Sequence, residues 1–184
     1  MTDQPESADL ADIVTAPLDD LEQTGAPSFD SAHFRAVLGH FCTGISIITA
    51  IDDNDPVGLT CQSFTSVSLE PALVGFVPAK TSTSWPRIER SGKFCVNVLS
   101  EDQEELCRVF ATTGTDKFRG VGWHPGESGS PIIHSVLAWI DCRIETVHEA
   151  GDHLIVIGSV LELNATQGGK PLLFYRGGYG RFEA

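Results

Sequence analysis

The 184-residue sequence lacks the local motifs that most directly reveal a protein's chemistry. It contains no G-x-G-x-x-G and no G-x-x-x-x-G-K-[ST], so neither a Rossmann dinucleotide site nor a P-loop is supported. Its six histidines form no H-x-x-x-H pair and no Cys/His pair at zinc spacing, which argues against a metal site. The five cysteines form no C-x-x-C pair and carry no signature of a catalytic nucleophile. Because five is an odd number for a disulfide framework, we expect reduced thiols.

Positive charge is absent from the first 30 residues, which hold eight acids and no lysine or arginine. Residues 1–27 also contain three prolines and few large apolar side chains, so ordering them would cost backbone entropy without enough burial to offset it. We therefore predict a disordered acidic tail over residues 1–27 and one folded domain over residues 28–184. Of the formal net charge of −13, residues 31–184 carry only −5, from 17 acids and 12 bases. This mild acidity argues against a nucleic-acid partner.

Long apolar runs are absent as well. No uninterrupted run reaches membrane-spanning length, and the N-terminus lacks the basic start and apolar core of a signal peptide. The sequence therefore predicts a cytoplasmic protein with no membrane partner. The hydrophobic fraction of 41% is ordinary for a globular protein and supplies a substantial core.

Short β-rich segments separated by turn residues make up most of the predicted domain. Those rich in β-branched or alternating apolar residues are 45–51, 73–77, 94–99, 136–149, 153–163 and 171–175. Helical patterns are confined to residues 31–41, 86–91 and the segment after Ser100, while residues 112–131 are polar and glycine-rich and predict a long loop. Without regular βαβ alternation, an antiparallel barrel with short helices is favoured over a doubly wound sheet.

Two segments carry the polar side chains that suggest a binding site. Residues 56–71, PVGLTCQSFTSVSLEP, begin as a strand and become a run of uncharged donors, which suits a large polar ring, although a plain strand and turn explain the composition as well. Residues 80–87, KTSTSWPR, place a lysine, an arginine and four hydroxyls around a helix start. Ordinary capping needs one of these hydroxyls, so the full set favours an anion such as a phosphate.

Seven segments in a fixed order resemble the flavin reductase-like split-barrel family. They are TGISIIT (43–49), PVGLTCQSFTSVSLEP (56–71), KTSTSW (80–85), FCVNVL (94–99), DKF (116–118), GDH (151–153) and PLLFYRGGY (171–179). More narrowly, they resemble the reductase components of two-component flavin-dependent aromatic monooxygenases. The similarity runs from about residue 29 to the end and excludes the acidic tail.

The resemblance implies a mainly β fold, a six-stranded antiparallel split barrel with a few short helices that forms a homodimer. The implied ligands are FMN or FAD, reduced by NADH or NADPH. The implied flavin-binding residues are Val57, Gly58, Leu59, Thr60, Gln62, Ser63, Val77, Pro78, Ala79, Thr83, Ser84 and Phe110, with residues 65–68 expected to form only a turn. The implied NADH-binding residues are His153, Tyr175, Arg176 and Gly177. Without the resemblance, His153 is more simply a turn residue with a solvated imidazole.

The expected function is therefore that of an NAD(P)H:flavin oxidoreductase that supplies reduced flavin to a separate monooxygenase. Hydride passes directly between two stacked rings, so neither a catalytic nucleophile nor a metal is expected. NADH is favoured because no arginine cluster for a 2′-phosphate lies beside His153. Two alternatives stay open: a non-catalytic flavin- or haem-binding split-barrel module, and a reductase that passes electrons through free flavin to iron or another acceptor. The choice between FMN and FAD also stays open.

Overall fold

The computed structural model describes residues 29–114 and 116–183, so the predicted tail over residues 1–27 lies outside the described residues. Strands β1 to β12 span Thr43–Gly44, Ser46–Asp52, Asp55–Cys61, Thr65–Ser68, Leu73–Phe76, Lys93–Val98, Trp123–Pro125, Pro131–Ile133, Ala138–Ala150, His153–Ala165, Leu172–Tyr175 and Gly178–Arg181. Helices α1 to α3 span Ser31–Leu38, Trp85–Ser91 and Glu104–Ala111, and a 3-10 helix, Glu101–Gln103, leads into α3. None of these described helices is long and apolar enough to cross a membrane.

Seven strands form one antiparallel sheet in the order β3-β2-β6-β9-β10-β5-β4. The two edge strands, β3 and β4, are joined only by residues 62–64, so their adjacent ends lie within about 14 Å of each other. The sheet therefore curls until its edges meet, yet no register of hydrogen bonds joins β3 to β4 in the described part of the chain. The predicted fold class, an antiparallel split barrel with a few short helices, is confirmed.

The main sheet contains seven strands where the resemblance implies six. The additional edge strand is β4, formed by the segment that we expected to be a turn. Its residues pair with β5, with an irregularity between Ser66 and Ser68. A short edge strand with a bulge exposes few regular backbone groups, which discourages pairing with another chain.

The segment predicted as a long loop, residues 112–131, contains one short strand, β7, that the sequence patterns did not predict. Strand β7 pairs with β8, and the pair is fastened to the barrel by polar side chains. The Asn97 side chain donates to Thr49 Oγ1 at 3.0 Å and accepts from the Ile133 N–H at 2.8 Å. Both side chains are fully buried, so these bonds satisfy polar groups that would otherwise destabilise the core.

Aromatic side chains fill the interior of the barrel. Phe76 meets Trp85 and Phe94 edge to face, with ring centroids 5.8 Å and 5.1 Å apart. Trp85 and Ile88 are the buried residues of α2, which closes this core. A second apolar cluster joins α3 to the small sheet β1-β11-β12 through Ile45, Leu99, Phe110 and Leu172, among others. The two clusters hold α2 and α3 on the barrel near the open seam.

Replacing Gly158 by alanine is expected to destabilise the fold, because the added Cβ would lie 2.5 Å from the Phe94 ring in the barrel core. Overpacking of this kind costs about 1–3 kcal/mol. The free energy of unfolding in urea measures the loss. Gly44→Ala is the matched control, since its added Cβ meets no atom within 4 Å. Equal stability of the two variants would contradict the assigned packing.

Candidate ligand-binding site

A cavity of about 530 Å³ opens beside the seam of the barrel, between β3, residues 77–84 and the end of α3. Eleven of the sixteen residues predicted to bind ligands line it: Leu59, Thr60, Gln62, Ser63, Val77, Pro78, Ala79, Thr83, Ser84, Phe110 and His153. The structure thus brings together segments that are as far apart as residues 59 and 153. Which molecule these side chains contact stays a prediction.

The free edge of β3 supplies neutral hydrogen-bonding groups to this cavity. Within the main sheet β3 pairs only with β2, and its Gly58 carbonyl accepts from Lys117 on the side away from β2. Backbone groups alternate in direction along a strand, so the N–H and C=O of Thr60 face the same way as those of Gly58. The Cys61 carbonyl, one residue on, accepts from the Ser46 hydroxyl of β2 at 3.3 Å, so it faces β2, as the alternation requires.

Helix α3 is held over β3 by close packing. A Cβ at Gly58 would lie 2.7 Å from the Phe110 ring, so only glycine lets the helix approach so closely. The Thr60 hydroxyl donates to the Cys107 carbonyl at 2.8 Å. On the outer side, Arg108 lies over the Tyr179 ring at 4.4 Å. These contacts fix the wall of the cavity to which Phe110 belongs.

Lys117 is the functional candidate that the sequence patterns did not single out. Its ammonium donates to the Gly58 and Phe110 carbonyls at 3.0 Å and 2.9 Å and to the Ser84 hydroxyl at 3.2 Å. Partial burial lowers the pKa of the Lys117 amine. No carboxylate in the described part of the chain forms an ion pair with it, so its charge suits an anionic ligand group. Lys117 could have been singled out from the sequence because it lies in the DKF segment, one of the seven that carry the family resemblance.

The hydroxyls of residues 81–84 divide between structural bonds and the cavity. Ser82 Oγ accepts from the Trp85 N–H at 3.2 Å and so caps the first turn of α2. Ser84, at the N-cap position, makes no side-chain cap and instead accepts from Lys117. The Thr81 and Thr83 hydroxyls have no hydrogen-bond partner among the described residues, and both line the cavity. Only Ser82 is therefore used for capping, and the hydroxyls of Thr81 and Thr83 are available to a ligand.

His153 lies beside Ala79 on the wall of the cavity and is oriented by its neighbour in the sequence. An isolated bridge pairs it with Ala79, and its Nδ1 lies 2.7 Å from a carboxylate oxygen of Asp152. This hydrogen bond holds the pKa of Asp152 below its usual value. Because Asp152 occupies Nδ1, the Nε2 edge of the ring is the part left for a ligand.

The Cys61 thiol, which also lines the cavity, adds no charge, because burial raises its pKa. No group of three or more His, Cys, Asp and Glu side chains in the described chain is arranged to hold a metal ion. Apart from Lys117 and His153, the side chains that line the cavity are uncharged.

Five predicted residues lie outside this cavity. Val57 and Gly58 line a neighbouring cavity of about 480 Å³. Tyr175 ends β11, and Arg176 and Gly177 form the turn to β12. A hydrogen bond from the Arg176 N–H to the Gly39 carbonyl at 2.9 Å joins this turn to the end of α1. Gly177 lines a third cavity, beside α1. Within one chain this turn and His153 do not line the same cavity. The role of Tyr175, Arg176 and Gly177 in NADH binding stays a prediction.

The fold and the cavity define a split-barrel protein with a cavity lined by neutral hydrogen-bonding groups and one lysine. Residues 38–183 match the flavin reductase like domain, and the chain belongs to that family.

The relatives agree with this assignment. The chain is 55% identical over 158 residues to a flavin reductase of Pseudomonas putida, covering 85% of this chain and 93% of that protein. It is 53% identical to HsaB, the reductase subunit of a flavin-dependent monooxygenase of Rhodococcus jostii, covering 86% and 81% of the two chains.

Solved structures share the fold. Nitrilotriacetate monooxygenase component B from Mycobacterium thermoresistibile has a TM-score of 0.82 at 49% identity, over 86% of this chain and 89% of that one. The NADH:FAD oxidoreductase SgcE6 of Streptomyces globisporus, in complex with NAD and FAD fragments, has a TM-score of 0.79 at 37% identity, over 84% and 93%.

Proposed function

We propose that this protein is an NADH-dependent flavin reductase that reduces FMN or FAD and passes the reduced flavin to a separate monooxygenase. The observation that carries the proposal is the seam cavity, whose wall is formed by the free edge of β3, His153 and the ammonium of Lys117. The family membership and the names of the relatives agree with it.

The residues present fit a flavin. The backbone groups of β3 alternate donor and acceptor, as the pyrimidine edge of a flavin ring does, and Lys117 with the hydroxyls of Thr81, Thr83 and Ser84 suits a phosphate. When bound, the flavin accepts a hydride from the nicotinamide and later gives up its electrons. Preorganised N–H donors at the ring edge stabilise the negative charge that this transfer develops.

His153 is the residue that we assign to the nicotinamide side, since Asp152 fixes its ring while the Nε2 edge stays available. The nearest cation on this side, Lys80, forms an ion pair with Glu149. A paired lysine gives little additional attraction to a 2′-phosphate, which supports NADH over NADPH.

Release of the product to a partner enzyme requires moderate affinity. One lysine and several neutral donors bind a phosphate less tightly than a cluster of arginines. Relatives described as subunits or components of monooxygenases support a separate monooxygenase as the acceptor. We place both partners in the cytoplasm, where NADH is available.

A homodimer is the second part of the proposal. Helix α1 has no buried residue, and the side chains of its apolar face, Phe34, Val37 and Leu38, with the nearby Phe41, are 48%, 54%, 55% and 76% exposed. An eight-residue helix is marginal without packing of its apolar face. The face adjoins a cavity of about 560 Å³ that Gln62 and Ser63 also line, so a second copy covering α1 would border the flavin site.

The purified chain is expected to oxidise NADH when FMN or FAD is added, because the site holds both rings without any further group. Loss of NADH absorbance under anaerobic and aerobic conditions measures the activity. The proposal is wrong if neither flavin supports turnover with NADH or NADPH. A chain that keeps a flavin or haem spectrum but leaves NADH unoxidised would instead be a binding module.

Lys117→Met is expected to weaken FMN binding about 10- to 150-fold. A phosphate would accept from the ammonium in place of the Ser84 hydroxyl, and losing this charge-assisted hydrogen bond costs about 1.5–3 kcal/mol. Riboflavin has no phosphate, so its dissociation constant should change far less. Fluorescence titration measures both constants. Lys93→Met is the control, because Lys93 contacts Ser128 and lies outside the seam cavity. An equal loss for both ligands would show that Lys117 only supports the wall.

Leu38→Asp is expected to convert the dimer to a monomer, because a carboxylate on the α1 face cannot be buried without a partner. Light scattering after size exclusion should give about twice 19.8 kDa for the wild type and one chain mass for the variant. Ala32→Asp adds the same charge on the opposite side of α1 and should stay dimeric. A monomeric wild type would contradict the homodimer.

A further inference from the structure

Two histidines lie side by side on the hairpin of β7 and β8, away from the seam cavity. The side chains of His124 and His134 are exposed, their ring centroids are 5.6 Å apart, and their ring planes differ by 30°. Among the described residues, no hydrogen bond or ion pair occupies a nitrogen of either ring. All four ring nitrogens of the pair are therefore available to a ligand.

The register of the hairpin places both rings on one face. Trp123 pairs with Ile133, and the His134 N–H donates to the Gly122 carbonyl at 3.0 Å, so His134 lies opposite Gly122. Side chains alternate along a strand, so His124, two residues after Gly122, is on the same face as His134. Ile133 points the other way, into the second apolar cluster.

Gly122 leaves room for the His134 ring. A Cβ at this position would lie 2.6 Å from His134 Nδ1, so the ring lies directly over the glycine. Any larger residue here would displace the ring from its place beside His124.

The backbone that carries the two rings is anchored on both sides. The His134 carbonyl accepts from Gln103 Nε2 at 3.0 Å, which ties the end of β8 to the 3-10 helix before α3. One residue earlier, the Ile133 N–H donates to the buried Asn97 side chain at 2.8 Å. Two ligand side chains on an anchored hairpin lose little freedom when they bind an ion together.

The separation of the rings suits a transition-metal ion. A metal about 2.0–2.1 Å from one nitrogen of each ring, with the two ligands near the tetrahedral angle, places the ring centroids about 5.2 Å apart. The observed separation is 5.6 Å, and a small rotation of an exposed ring covers the difference. Imidazole nitrogen is a good ligand for Zn²⁺, Ni²⁺ and Cu²⁺, whereas Mg²⁺ and Ca²⁺ prefer oxygen.

We propose that His124 and His134 form a binding site for a divalent transition-metal ion, with water completing its coordination. No third His, Cys, Asp or Glu side chain joins the pair in the described part of the chain. The ion is therefore exchangeable, unlike the zinc of a closed four-ligand structural site. Sequence spacing did not reveal this pair, because the two histidines are on different strands and come together only in the hairpin.

A bound ion would join the two strands of an element that supports the seam cavity. Phe118 packs edge to face against Trp123 of β7, with ring centroids 6.4 Å apart, and against Phe110 of the cavity wall, at 5.0 Å. Neither His124 nor His134 lines the seam cavity, so the inference does not rest on the proposed flavin reductase function.

Calorimetric titration with Zn²⁺, Ni²⁺, Cu²⁺ or Mg²⁺ tests the site in the whole chain, purified without a histidine tag and freed of metal with EDTA. All variants carry Cys42→Ser, which removes the exposed thiol. A single transition-metal ion should bind per chain, Cu²⁺ most tightly, and Mg²⁺ should not bind. His124→Ala and His134→Ala should each weaken binding about tenfold or more. The ion should also raise the melting temperature, and EDTA should reverse the rise.

Two further variants test the geometry. Gly122→Ala keeps both ligands but displaces the His134 ring, so it should weaken binding of all three ions. His124→Cys exchanges one metal ligand for another and should retain binding of Zn²⁺, which also decides the matter if an alanine variant fails to fold. His148→Ala is the matched control, because it removes an exposed histidine from β9 and leaves the pair intact.

The inference is overturned if none of the three ions binds at about 1 mM, in which case the rings only stack. It is overturned equally if binding survives both alanine substitutions, or if His148→Ala loses as much affinity as they do. NADH oxidation with added flavin should be the same for His124→Ala and the wild type. Absence of that oxidation in every variant would contradict the flavin reductase function and leave the metal site standing.

Discussion

The unpaired edge of β3 is the feature on which the ligand site depends. A strand at the edge of a sheet exposes backbone donors and acceptors that need partners, and β4 does not supply them because the barrel is open at this seam. One carbonyl, that of Gly58, is satisfied by Lys117. The neighbouring backbone groups face a cavity closed by α3 on one side and by residues 77–84 on the other. Because the seam is open, the unpaired backbone groups of β3 are available to a ligand in the cavity.

The seam cavity carries little charge, and its positive charge is concentrated at Lys117. Burial raises the pKa of the Cys61 thiol and Lys80 is paired with Glu149, so the half-buried Lys117 is the main positive charge on the wall of the cavity. A half-buried ammonium without a carboxylate partner is costly, as its lowered pKa shows. A phosphate offsets that cost when it binds, whereas a neutral ligand does not. In the proposed flavin site, this arrangement favours an anionic tail, and neutral groups bind the edge of the ring.

The elements around the seam are supported from the outside of the barrel. Asp52 anchors α2 through two arginines, and the sheet of β1, β11 and β12 holds α3 through Tyr179 and a shared apolar cluster. The β11–β12 turn is also fastened to α1, whose apolar face is exposed. In the proposed dimer, the subunit contact and the β11–β12 turn therefore lie next to the ligand cavity.

By itself the sequence determined the local features, those that depend on residues close together in the chain. The turn Asp53-Asn54, with both residues at positive φ, the Ser100–Gln103 capping bond, the donor-rich strand and the hydroxyl segment before α2 follow from local composition. Only the tertiary structure decided that β4 is an edge strand, that Lys117 meets a carbonyl 59 residues away, and that His124 lies beside His134. Local preferences act over a few residues. Contacts across the barrel depend on how the sheet closes, which short-range patterns do not encode.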